Sequence, residues 1–193
     1  MILYIDACVR RESRTRRLAD RLVRRLAAER EEDCVRVSLD GMLFDEMNED
    51  FLEYRDRMAR EGAAVPALEW ARQFASADAV VIAAPYWDLS FPAVLKQYLE
   101  QVNVCGVTFR YTPEGFPESL CRAKELWYVT TAGGPILSDE PGFGYVRALA
   151  AGFYQIPRIE QIRAEGLDIV GADVEAILHA AEEQIDRLEL AEE

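Results

Sequence analysis

Asp78-Ala-Val-Val-Ile-Ala-Ala-Pro-Tyr-Trp-Asp-Leu-Ser-Phe-Pro92 is the stretch on which the fold turns. Residues 79–84 are apolar throughout. A strand built from them has no face to offer water, so it belongs in the middle of a parallel sheet covered on both sides. The run stops at Pro85, and Pro92 stands where a helix over 92–103 begins, a place where a missing N–H is tolerated. The segment therefore reads as strand, loop and helix in direct succession.

Working outward, the same alternation recurs. Met1–Asp6 and Cys34–Leu39 read as strands, separated by an amphipathic helix over 15–30 with Leu18, Leu22 and Leu26 at i, i+4 and i+8. Residues 48–76 read as two helical pieces broken around Gly62 and Pro66. Glu125–Thr131 is a fourth strand, Gly144–Tyr154 a helix, Arg158–Ala164 a weaker strand, and Val174, Ile177, Leu178, Ala181, Ile185 and Leu188 mark a closing helix. Five strands alternating with helices predict parallel βαβ units, with right-handed crossovers placing helices on both sheet faces. The length, 193 residues, suits one domain over 1–193 with a helical excursion at 48–76.

Lys and Arg number 22 against 35 Asp and Glu, a net charge of −13, and half the residues are hydrophobic. Disorder is excluded by the supply of core residues, and a nucleic-acid partner by the repulsion its phosphates would meet. The charge is uneven. Residues 1–36 hold ten Arg, whereas residues 165–193 hold ten acids and only Arg187. That crowding at the N-terminus suggests an anion held near the first loop. Cys8, Cys34, Cys105 and Cys121 show no CxxC spacing, no signal peptide or membrane-spanning run is read, and reduced thiols in a cytoplasmic protein are expected. With His179 the one histidine, neither a His-cluster metal site nor a His general base is expected.

Ligands of doubly wound sheets sit beyond the C-terminal strand ends, which directs attention to three loops. The first, residues 6–15, lacks the glycines of a phosphate loop but brackets a helix start with Ser13 and Thr15. Free N–H groups there favour an anion, and Arg10, Arg14 or Arg16 can add charge. The competing reading makes Ser13 only an N-cap. The second loop, Pro85, Tyr86, Trp87, Asp88, Leu89, Ser90, combines two aromatics, an acid and a serine, a set suited to wrapping a flat ring. In the third, Thr131-Ala-Gly133-Gly134, the glycines let backbone amides approach a ligand.

These residues resemble the flavodoxin-like NAD(P)H:quinone oxidoreductase and FMN-dependent azoreductase family. The likeness is carried by Asp78–Leu89, by Leu95-Lys-Gln-Tyr-Leu and by Gly106-Val-Thr-Phe-Arg-Tyr-Thr112, and more weakly by Ser13-Arg-Thr15 and Thr131-Ala-Gly-Gly134. The resemblance implies a flavodoxin-like doubly wound five-stranded parallel sheet, order 2-1-3-4-5. It implies FMN as cofactor, NADH or NADPH as co-substrate, and an active site formed between the subunits of a homodimer. Ser13 and Thr15 would then hold the FMN phosphate. Pro85, Tyr86, Trp87, Asp88 and Leu89 would line the ring system, and Thr131, Gly133 and Gly134 would meet its pyrimidine edge. Tyr111 and Phe153 would shape the substrate face from the partner subunit. The implied activity is ping-pong transfer of two electrons to a quinone or similar flat acceptor, with no catalytic side chain required.

The chain departs from the family pattern where Ala7 or Cys8 replaces an early serine, Asp88 an asparagine and Ala132 an arginine, and where a histidine beyond that turn is absent. The departures bear chiefly on azo-dye reduction. Two alternatives remain at this point, a flavodoxin-type electron carrier and a cofactor-free partner-binding protein. No metal, membrane or nucleic-acid partner is expected.

Overall fold

The computed structural model describes residues 1–189. Its main sheet joins β1 (Ile2–Asp6), β2 (Cys34–Ser38), β3 (Ala79–Ala83), β6 (Glu125–Thr131) and β7 (Arg158–Ala164), all parallel, in the order β2-β1-β3-β6-β7. Counted among sheet strands alone, this is the expected order 2-1-3-4-5. The chain adds an antiparallel hairpin, β4 (Phe109–Tyr111) with β5 (Pro117–Ser119), between the third and fourth sheet strands. Three-residue strands bounded by Gly106 and Gly115 are too short for periodicity to reveal.

The three central strands β1, β3 and β6 are buried along their whole length, as the apolar runs require. Successive side chains point to opposite faces. Leu3, Ile5, Val80, Ile82, Leu126 and Tyr128 pack with Phe74 of α3 (Glu69–Ser76), with Tyr98 and Leu99 of α4 (Ala93–Val102) and with Val146 of α5 (Tyr145–Gly152). Ile2, Tyr4, Val81, Trp127 and Val129 face α1 (Arg14–Arg30) and α6 (Val174–Asp186) through Leu18, Leu22, Leu178 and Ile185. The excursion at 48–76 resolves into α2 (Glu49–Arg60), a single tight turn at Pro66–Leu68 and α3, broken where Gly62 and Pro66 were expected to break it. Among the described residues, no helix is long and apolar enough to cross a membrane.

The arginine crowding has a different cause from the one its position suggested. Seven of the ten N-terminal arginines form ion pairs within the chain. Arg17 reaches Glu175 and Glu182, each at 2.8 Å, and Arg21 meets Asp186 at 2.5 Å, while Arg25 also donates to carbonyls of Ile185 and Leu188. The basic face of α1 thus lies on the acidic face of α6. Arg17 holds the Glu182 carboxyl below its ordinary range. Exposed ion pairs are individually weak, so Arg17→Ala should lower stability by about 1 kcal/mol, a loss that shrinks in molar salt. Urea midpoints at low and high NaCl measure this directly.

Candidate functional site

The loops after β1, β3, β6 and β7 meet at the C-terminal edge of the sheet and enclose a cleft of about 690 Å³. That volume falls within the range of small-molecule and cofactor sites. β1 lies between β2 and β3, where the strand order reverses, so the cleft occupies the topological switch point.

A buried carboxylate organises the first loop. Asp6 ends β1 with no exposed surface and accepts from Cys8 N at 3.0 Å, Arg16 Nε at 2.8 Å and an Arg36 guanidinium nitrogen. Burial pushes its carboxyl up, but the two guanidiniums and the Cys8 amide outweigh that and hold it below the usual carboxylate range. Arg16 also donates to the carbonyls of Cys8, Arg10 and Arg11, fixing the loop's path. Arg16 is therefore a loop fastener and not a free cation for a ligand. Ser13 is the N-cap of α1, its hydroxyl accepting from Arg16 N at 3.2 Å. The backbone N–H groups of Arg14 and Thr15 have no acceptor among the described residues. The Cys8 thiol is buried beneath the cleft and pushed up to about 12 by burial, so it is no reactive thiolate.

In the second loop Trp87 and Ser90 exchange backbone hydrogen bonds of 3.0 and 2.7 Å across Asp88 and Leu89. Both central residues have positive φ, 49° and 67°, the pattern of a tight type I′ hairpin turn. This turn carries Asp88 and Leu89 to an exposed tip. Aspartate tolerates that conformation, whereas leucine is strained in it. Leu89→Gly should stabilise the protein by about 1 kcal/mol and raise Tm by roughly 2–4 °C in a thermal melt.

The third loop is tied to the first and to the loop after β7. Thr15 Oγ1 and Thr131 Oγ1 lie 2.6 Å apart, both buried. One hydroxyl donates to the other, which leaves one proton for a ligand. Carbonyls of Ala132 and Gly133 accept from the amides of Leu167 and Asp168 at 3.2 and 2.9 Å. A Cβ on Gly133 would collide with the Asp168 carboxylate, its Cγ only 3.1 Å away. That carboxylate is held by Arg14 at 2.8 Å. Gly133 is thus a glycine because a side chain from the neighbouring loop fills its Cβ space.

Of the residues expected at the site, Ser13, Thr15, Pro85, Tyr86, Trp87, Thr131 and Gly133 all line the cleft. Asp88 and Leu89 sit on the turn tip and Gly134 faces open space; none of the three is among the lining residues. Tyr111 and Phe153 also lie outside it and meet instead around Phe109, whose ring stacks on Phe153 at 4.5 Å and 9° and meets Tyr111 edge-on at 5.5 Å. Leu167, Asp168, Val174, Glu175 and Leu178 complete the cleft from the loop after β7 and the start of α6. Their sequence carries no expectation of a ligand, because β7 has a weak strand pattern and its C-terminal loop holds neither an aromatic pair nor a Gly-Gly turn. The segment Gly166-Leu-Asp-Ile-Val-Gly171, with Asp173 as N-cap of α6, carries the turn signal that marks a fourth strand end.

The family model described as a flavodoxin-like fold matches residues 1–188. An FMN-dependent NADH:quinone oxidoreductase 2 of Clostridium acetobutylicum is 38% identical over 188 residues, covering 92% of each chain. An FMN-dependent NADH:quinone oxidoreductase of Clostridium perfringens is 39% identical over 184 residues, 90% of each. Among solved structures, an azoreductase from Bacillus anthracis str. Sterne superposes with a TM-score of 0.78 at 25% identity, covering 95% of each chain. With its sheet order, its switch-point cleft and these matches along nearly its whole length, the chain belongs to the flavodoxin-like fold family.

Proposed function

We propose that this chain is an FMN-dependent NADH:quinone oxidoreductase, one flavodoxin-like unit over its length. The observation that carries the reading is the switch-point cleft, which gathers the hydroxyls of Ser13, Thr15 and Thr131 at a helix start and the aromatic pair Tyr86 and Trp87 beside them. The residues fit FMN by their chemistry. Two backbone N–H groups without acceptors and a spare hydroxyl proton suit a phosphate. Tyr86 and Trp87 suit a flat ring, and the buried Tyr86 hydroxyl has no hydrogen-bond partner among the described residues. The amide of Gly133, which has no acceptor among the described residues, is available to a pyrimidine edge.

Bound FMN would supply the hydride-accepting and two-electron-donating chemistry, so none of the chain's side chains need act as general acid or base. The chain's own part is to bind, orient and screen. Asp6 and Arg16 set the loop, the Thr15–Thr131 pair joins phosphate and ring ends of the cleft, and the exposed tip keeps the Asp88 charge off the lining. NADH and the acceptor would use the same open side in turn, a ping-pong order.

The test is anaerobic addition of NADH to protein loaded with FMN. Loss of the visible flavin absorbance, restored by a quinone, is the expected result; an unchanged spectrum overturns the proposal. The exposed aromatics Tyr111 and Phe116 on the β4–β5 hairpin support a homodimer in which the hairpin completes a partner's site. Tyr111→Ala should then raise the acceptor KM several-fold while FMN content stays constant. Steady-state kinetics with a soluble quinone measures it.

A further inference from the structure

Three arginines line the cleft, and two of them are already engaged. Arg14 is held by Asp168 at 2.8 Å, and Arg17 by Glu175 and Glu182, each at 2.8 Å. Arg10 has no carboxylate partner among the described residues. Its backbone, by contrast, is fixed, since its carbonyl accepts from Arg16 Nη1 at 2.7 Å. A pinned backbone with an unpaired guanidinium thus sits on the loop that leads into the α1 N-terminus, and Arg10 lines the same cleft as Arg14 and Thr15, whose amides lack acceptors among the described residues, and as Thr131.

Resting on the functional reading above, we propose that Arg10 is the charge partner of the cofactor's phosphate monoester, and that Arg14 and Arg17 serve the fold instead. The facing groups are consistent with this division. Of the three acids lining the cleft, Asp168 and Glu175 are neutralised by those two arginines. Glu12 alone lacks a cation among the described residues and opposes an anion. Hydroxyls and amides supply the geometry of phosphate binding, and Arg10 offsets the dianion's charge in a protein whose net charge is −13.

Riboflavin, which lacks the phosphate, separates this role from any other. FMN and riboflavin titrations by flavin fluorescence, on wild type and Arg10→Gln, with thermal melts of both proteins, form the test. The variant should bind FMN about tenfold more weakly, the low end for an exposed charge-assisted contact. It should bind riboflavin within twofold of wild type and show a shallower salt dependence for FMN. Glu12→Gln should shift FMN affinity the opposite way. A variant that melts like wild type and keeps its FMN affinity overturns the assignment. So does an equal loss for both flavins, which would make Arg10 a support of the loop. A wild-type protein that takes up neither flavin refutes the functional reading, and this assignment with it, and is distinguishable from both.

Discussion

Asp6→Ala is expected to lower stability by about 3 kcal/mol and to abolish flavin uptake at micromolar FMN. The carboxylate has no exposed surface and joins two guanidiniums to the Cys8 amide. Removing it leaves Arg16 and Arg36 side by side without their shared counter-charge, and frees the loop whose carbonyls Arg16 holds. Arg16 and Arg36 keep partial access to water, which places the cost at the low end for a broken buried pair. A pH signature accompanies this. The folded Asp6 titrates below its unfolded counterpart, so the unfolded state binds the extra proton. Its stabilisation is complete above the unfolded carboxylate value, near 4, and is lost as pH falls through the lower folded one. Asp6→Asn should therefore flatten the acid limb of the stability curve, as read by urea midpoints between pH 3 and 7. An unchanged acid limb would remove Asp6 from the list of groups that organise the first loop.

The second large effect concerns the helix that presents Thr15 to the cleft. Leu18 lies one turn into α1, has no exposed surface and packs with Ile2, Tyr4 and Val81 of the sheet. Leu18→Ala removes that contact and leaves a cavity, an expected loss of about 3 kcal/mol and a Tm lower by roughly 6–12 °C. Because the proposed ligand binds only the folded chain, FMN at a hundred times its Kd should restore about 2.7 kcal/mol of that loss. Thermal melts with and without FMN measure both quantities. Destabilisation without rescue would mean that the folded chain does not bind FMN, and would count against the cleft.

The sheet was legible because its central strands are buried on both faces. Val80, Val81 and Ile82 have no solvent side, so composition alone marks them. The hairpin Phe109–Tyr111 with Pro117–Ser119 was not legible, since three residues carry no period; Gly106–Thr112 stood out only as a stretch resembling a family motif. Within the site, Thr15 and Thr131 could be named separately from their loops, yet their 2.6 Å contact joins residues 116 positions apart. The loop after β7 carries a local turn signal, but nothing local announces that its Asp168 fills the space a Gly133 side chain would need. Asp88, placed by family position against the ring, instead occupies the exposed tip of a type I′ turn.

By itself the amino-acid order determined the strand and helix sequence, the switch-point loops and the uneven spread of charge, because hydrophobic period and turn chemistry are local properties. The tertiary structure alone decided what the charges are for. The ten N-terminal arginines look like one electrostatic feature in the sequence. Folding sets Arg17, Arg21 and Arg25 as a clamp on α6, Arg16 and Arg36 in a buried knot at Asp6 and Arg14 in a strap at Asp168, and it leaves Arg10 on the cleft wall. The physical reason is that a charge acts on whatever lies within a few ångströms of it, and for α1 that neighbour is a helix some 160 residues further along the chain.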